Sequence, residues 1–249
     1  MILDTFNLQF LYLVFAGIFI GVFSIVVGGG MFISIPFVQW IFPQATVGAV
    51  VGNIKVSSFF RSIGSTASTF RQIEFLQNFK LVPVALVGTV LGATAISHID
   101  QKWMLPAIVS AIIFTIQAPK FASRVTPQTF ALASFITGVY AGVLGAGIGV
   151  MLVALLRLKH PEDTEIALVK IQARFVEFLL VIAAVITHIF NGSLISALWV
   201  PLSIGGIIGG YAGGVLLNKM GELSGLVQKR ILYAAFSIDL LVAAKKFFE

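Results

Sequence analysis

Gly21-Val22-Phe23-Ser24-Ile25-Val26-Val27-Gly28-Gly29-Gly30-Met31-Phe32-Ile33-Ser34-Ile35-Pro36 places three consecutive glycines between two strongly apolar runs. Upstream, residues 8–27 predict a helix long enough to span a bilayer; downstream, residues 31–42 are apolar again but too few to span one, since a crossing needs about 20 residues. Each glycine costs a helix roughly 1 kcal/mol relative to Ala, so the run predicts a break. Within a bilayer, non-helical backbone survives only where protein or a water-filled cavity surrounds it. A related pattern returns half a chain later, in Gly138-Val139-Tyr140-Ala141-Gly142-Val143-Leu144-Gly145-Ala146-Gly147-Ile148-Gly149-Val150-Met151. The recurrence predicts two copies of one unit.

The surrounding chain fits a membrane. Of its 249 residues 58% are hydrophobic and 10% charged, and the mean hydropathy is +1.03. A soluble domain carries about 25% charged residues, so the class is an all-α polytopic membrane protein. The net charge of +6 is spread singly over short loops and two helices, without the basic patch that nucleic acid requires. There is no cysteine, which excludes disulfide and thiol chemistry. The histidines stand far apart, with no metal-ligand spacing, and no cofactor motif is present. The first apolar run lacks a basic leader, so it reads as a retained membrane element rather than a signal peptide.

Apolar segments occupy residues 8–27, 31–42, 45–69, 79–97, 103–117, 128–146, 148–157, 164–187, 194–217 and 231–247. The short segments 31–42 and 148–157 each follow a glycine cluster and end near Pro43 or Pro161. Residues 8–42 and 128–157 therefore predict glycine-tipped helical hairpins, each followed by three transmembrane helices. The repeats would cover 1–122 and 123–249. An odd number of net crossings per repeat makes their topology inverted. Loop charge agrees: this arrangement puts nine loop Lys and Arg on one side and three on the other, whereas single crossings at the hairpins give six against six. By the positive-inside rule, the 118–127 and 218–230 loops face the cytoplasm and both termini lie outside. The expected location is the inner cell membrane, with multiple passes and lipid as the surrounding partner; a homodimer is left open.

The copies align at a spacing near 119, which pairs Gly28 with Gly147, Gly30 with Gly149, Asn53 with Gln172 and Lys55 with Arg174. Lys55 and Arg174 each lie ten residues into an apolar segment, about 15 Å deep and near the midplane. A charge there costs at least roughly 2.5–3.5 kcal/mol on insertion scales. Two cations at matching positions point to one central site for a small anion. Asn53, Ser57, Ser58, Ser62 and Gln172 add polar groups on the same helices. Backbone N–H groups at Gly28, Gly29, Gly30, Gly145, Gly147 and Gly149 also suit an oxyanion. Structural alternatives stay open. Glu177 stands three residues after Arg174 and could neutralise it; it is also the one deep carboxylate for ion coupling. Arg61 and Lys170 read as side chains that snorkel to the surface, and His188 as a cap or interface residue. Gly17, Gly21, Gly88, Gly92, Gly138, Gly142, Gly205, Gly209 and Gly213, at four-residue spacing, read as helix-packing positions.

Gly142-Val143-Leu144-Gly145-Ala146-Gly147-Ile148-Gly149 resembles the G-x-x-G-x-G-G-G signature of the sulfite exporter TauE/SafE family, and Gly28-Gly29-Gly30-Met31-Phe32-Ile33-Ser34-Ile35-Pro36 resembles its GGG-then-Pro continuation. Ser24, Val26 and Val27 depart from the glycine pattern, and the second copy has Leu155 where the first has Pro36. The resemblance implies a permease for sulfite or organosulfonates. The expected function is then a secondary transporter that moves small anions by alternating access. An anion channel would use the same basic residues. An intramembrane enzyme fits less well, because no Ser/His dyad, HExxH or carboxylate pair is placed for one.

Overall fold

The computed structural model describes residues 2–26, 30–73, 81–100, 103–145, 147–158 and 166–220, with isolated positions 230, 234 and 237. Among these residues the protein is helical, with no strand. The helices are α1 (Ile2–Val26), α2 (Met31–Ile41), α3 (Val47–Thr69, continued by a 3-10 turn Phe70–Gln72), α4 (Val82–Ser97), α5 (Met104–Ala122), α6 (Phe130–Val143), α7 (Ile148–Arg157), α8 (Ile166–Phe190) and α9 (Ser196–Met220). All of the predicted 231–247 segment except positions 234 and 237, together with Pro161 and with Gly28 and Gly29 of the first glycine cluster, falls outside the described residues.

Local chemistry sets several boundaries. Thr46 caps α3 by accepting from the Ala49 N–H at 3.3 Å, and Pro83 sits in the first turn of α4, where its missing N–H costs nothing. The second break comes earlier than residue 146. Helix α6 ends at Val143, and Gly145 (φ +67°) and Gly147 (φ +75°) turn the chain through the left-handed region, which suits glycine. Gly149 does not belong to that turn; it lies inside α7. Gly30 has right-handed backbone and caps α2.

The packing runs through glycine. A Cβ added at Gly17 would lie 3.1 Å from the Gly205 Cα, and one at Gly21 would lie 2.9 Å from the Gly209 Cα. The numbers rise together, so α1 and α9 run parallel. Helices α4 and α6 cross the same way: a Cβ at Gly138 would lie 2.8 Å from the Ala85 Cα, and one at Gly142 2.6 Å from the Ala93 N. Helix α9 carries a second ridge one residue on. Gly206, Gly210 and Gly214 meet Ser57, Arg61 and Ser68 of α3, so α3 and α9 are also parallel. Such contacts let backbones approach where lipid offers no hydrophobic drive to associate. By contrast, α3 and α8 are antiparallel. Gly52 lies against His188, and Phe59 stacks on Phe178 with ring centroids 5.8 Å apart.

Among the described residues, three helical spans are long and apolar enough to cross a membrane: Leu8–Val26, Leu168–Phe190 and Ser196–Leu217. Helix α3 is as long, but its buried side chains include Asn53, Lys55, Ser57, Ser58, Arg61, Ser62 and Ser65. It sits between α8 and α9, and that central place is where polar groups can be held away from lipid.

Candidate functional site

The antiparallel crossing of α3 and α8 brings the deep charges together. A small pocket there is lined by Lys55, Ser58 and Arg61 from α3, and by Glu177 from α8 beside Leu180 and Val181. Ala141 and Gly145 close it from the end of α6, and Met31 and Ile148 from the first residues of α2 and α7. The void accepts the centre of about one water, near 10 Å³, the smallest volume that holds one.

Each predicted cation reaches the other half of the chain. The Lys55 ammonium, buried at 2% exposure, donates to the Ala141 carbonyl in the last turn of α6. Arg174 donates from Nη2 to the Ser24 carbonyl at 2.6 Å, in the last turn of α1. Its Nη1 donates to Glu177 Oε2, also at 2.6 Å. The last carbonyls of a helix lack intrahelical donors and carry the negative end of its dipole, so both cations complement a helix C-terminus. The glycines leave room for them. A Cβ at Gly145 would lie 2.5 Å from Lys55 Nζ, and one at Gly149 would lie 3.1 Å from Arg174 Nη1.

Arg61 joins the cluster, contrary to the surface role its sequence position suggests. It is buried at 4% exposure and donates to Ser58 Oγ at 2.8 Å. Thr69 lies eight residues further on, about 12 Å at the helical rise, too far for the guanidinium to reach the end of α3. The legible signal is the spacing of Lys55, Ser58 and Arg61, three residues apart along one helical face. With Arg174 held by Glu177, the cluster has three cations and one carboxylate, a formal charge of +2. The N-termini of α2 and α7 add the positive ends of two helix dipoles.

Other predicted residues have different partners. Asn53 donates to the Ala49 and Ser193 carbonyls at 2.6 and 3.3 Å and accepts from the Ile195 N–H at 2.8 Å, which pins the segment before α9. Gln172 donates to the Gln72 carbonyl at 2.7 Å, beyond the end of α3. Ser57 donates to the Leu202 carbonyl of α9 at 3.0 Å. Gly147 packs against Thr115 and Phe32, and Gly30 against Ser24. The geometry therefore gathers Lys55, Ser58, Gly145 and Glu177 with Arg61, places Arg174 one ion pair behind, and commits Asn53, Ser57 and Gln172 to backbone.

The profile of the sulfite exporter TauE/SafE family matches residues 13–244, nearly the whole chain. The chain belongs to that family. No curated protein and no solved structure matches it. TauE/SafE membership implies a membrane permease for sulfur-containing anions, a transporter family rather than an enzyme family.

Proposed function

We propose that this TauE/SafE protein is a secondary transporter that carries sulfite or an organosulfonate across the inner cell membrane by alternating access. The observation that carries the reading is the convergence of Lys55, Arg61 and the N-termini of α2 and α7 on one pocket beside Glu177. Lys55 and Arg61 neutralise the anion, Ser58 supplies a hydroxyl, and the first N–H groups of α2 and α7 bind its oxygens as helix N-termini bind oxyanions. Arg174 holds Glu177 and the end of α1, and so shapes the pocket from behind.

Two inverted repeats, residues 1–122 and 123–249, fit this mechanism. The exchange pattern supports them: α1 packs on α9 while α6 packs on α4, and the matched helices α3 and α8 run antiparallel. Lys55 reaches α6, and Arg174 reaches α1. Movement of one half against the other would break both contacts and open the pocket to alternate sides. A void with room for about one water favours a gated transporter over an open channel.

The test is a substrate-induced thermal shift in detergent with sulfite, sulfate, sulfoacetate and taurine. It is followed by counterflow of the ligand that binds, in proteoliposomes. Saturable flux with counterflow is expected. Flux that rises linearly with concentration and shows no counterflow refutes a transporter in favour of a channel.

A further inference from the structure

The buried polar group that the anion site leaves unused is His188, in the last turn of α8. It is completely buried, and its Nε2 has no hydrogen-bond partner. Its ring lies against Gly52 of α3, where a Cβ would come within 3.0 Å of Nδ1. Nδ1 in turn lies 3.5 Å from Ser97 Oγ of α4. Ser97 has one hydroxyl proton, and it is donated to the Ala93 carbonyl at 2.9 Å. Towards His188 and Asn191, Ser97 Oγ therefore acts as an acceptor; the Asn191 amide donates to it at 3.0 Å. This assigns the tautomer from the network: Nδ1 carries the hydrogen and Nε2 presents a bare lone pair.

A neutral imidazole held in this way can take one proton, at Nε2. The α3 face against it carries Gly52 and, three residues on, the buried cation Lys55. From α4 it meets the Ser97 hydroxyl, and from the turn after α8 the exposed Asn191 amide lies on the same hydroxyl. Lys55 follows Gly52 by three residues, about one helical turn, so the anion pocket and the imidazole lie along one stretch of the α3/α8 seam. A proton on His188 adds positive charge about one turn of α3 away from Lys55, and like charges oppose each other. An anion bound at Lys55 reverses that opposition. By linkage, each ligand then raises the affinity for the other.

We propose that His188 is the proton site of a coupled proton–anion symport, with one proton bound at Nε2 for each anion bound at the Lys55 pocket. The inference rests on the anion-transport reading above. The covalent change is the addition of one water-derived proton to imidazole, and its loss on the far side.

The experiment uses the full chain in proteoliposomes, with the membrane potential clamped, radiolabelled sulfite as probe and protein-free vesicles as control. Wild type is expected to show counterflow, and to accumulate sulfite about tenfold on the alkaline side of a one-unit pH gradient, since one coupled proton per anion converts a pH unit into a factor of ten. His188→Gln is expected to keep counterflow and lose accumulation. Ser97→Ala, which removes the acceptor that fixes the tautomer, is expected to shift the pH of half-maximal accumulation. Wild-type counterflow that ignores the gradient overturns the coupling, as does wild-type accumulation by His188→Gln. If His188→Gln loses all flux, an unshifted pH profile for Ser97→Ala overturns it. Absence of any wild-type sulfite counterflow refutes sulfite as the cargo instead, and the same comparison is then made with the ligand identified by thermal shift.

Discussion

Arg174→Met tests whether Arg174 is part of the pocket wall or part of the anion grip. In the structure its guanidinium is committed twice, to Glu177 Oε2 and to the Ser24 carbonyl, each at 2.6 Å. The ion-paired side chains are only 14% and 10% exposed, so little solvent is present to replace the lost partner. Removing one member of a buried pair costs about 3–5 kcal/mol, because the other charge is left uncompensated. Lys55 and Arg61 line the pocket with Glu177 and offset part of that, so the expected loss is at the low end, about 3 kcal/mol. Glu177→Gln removes the stranded carboxylate. The double variant Arg174→Met/Glu177→Gln should therefore be destabilised by less than the sum of the single ones, with a coupling of about 1–3 kcal/mol. The assay is a double-mutant cycle from reversible unfolding in mixed micelles titrated with denaturing detergent. Additivity within about 0.5 kcal/mol would refute the pairing as a stabilising element and return Arg174 to direct contact with the anion.

Four further outcomes follow from the same contacts. Lys55→Met should raise the Kd of the transported anion tenfold or more, since a charge-assisted bond is worth more than the about 1.4 kcal/mol that makes a factor of ten; equilibrium binding in detergent at matched thermal stability checks this. Gly145→Ala should abolish transport at a stability cost of about 1–3 kcal/mol, because φ +67° is strained for alanine and its Cβ would displace Lys55 Nζ; flux and unfolding measured on one preparation separate the two effects. Gly209→Leu should prevent a folded protein from forming, since α9 lies on the Ile18 backbone there, whereas Gly192→Ala meets open space, bears only the strain of alanine at φ +65° and should remain folded; size-exclusion profiles distinguish them. Ser123→Cys in this cysteine-free chain should resist an impermeant thiol reagent in intact cells if the 123–129 connection between α5 and α6 is cytoplasmic, and labelling from outside would reject that topology.

Much of the architecture is legible in the chain because its causes are local. Hydropathy over 20-residue windows marks the membrane class, and the glycine cluster after α6 breaks the helix at Gly145 and Gly147. Four-residue glycine spacing at Gly17, Gly21, Gly205 and Gly209 puts bare backbone on one helical face, and those backbones do meet. The double register of α9 could also have been read, because Gly205-Gly206, Gly209-Gly210 and Gly213-Gly214 define two adjacent bare ridges for two neighbours. The matching places of Lys55 and Arg174 along α3 and α8 needed only the repeat spacing.

What the tertiary structure alone decided is how each polar side chain is engaged. Asn53, Ser57 and Ser58 stand within six residues on one helix, yet only Ser58 faces the pocket; Asn53 holds the segment before α9, and Ser57 holds the Leu202 carbonyl. Arg174 and Lys55 look equivalent by spacing, but Glu177 captures one, while the other lies open to the pocket beside Gly145. Arg61 looks like a surface residue until α8 and α9 enclose it. The physical reason is common to all of these. A buried donor must take whichever acceptor the neighbouring helix presents within about 3 Å. For Asn53, Ser57 and Arg174 that acceptor comes from segments more than a hundred residues away, such as the last turn of α1 for Arg174, and helix crossings rather than local sequence bring them together.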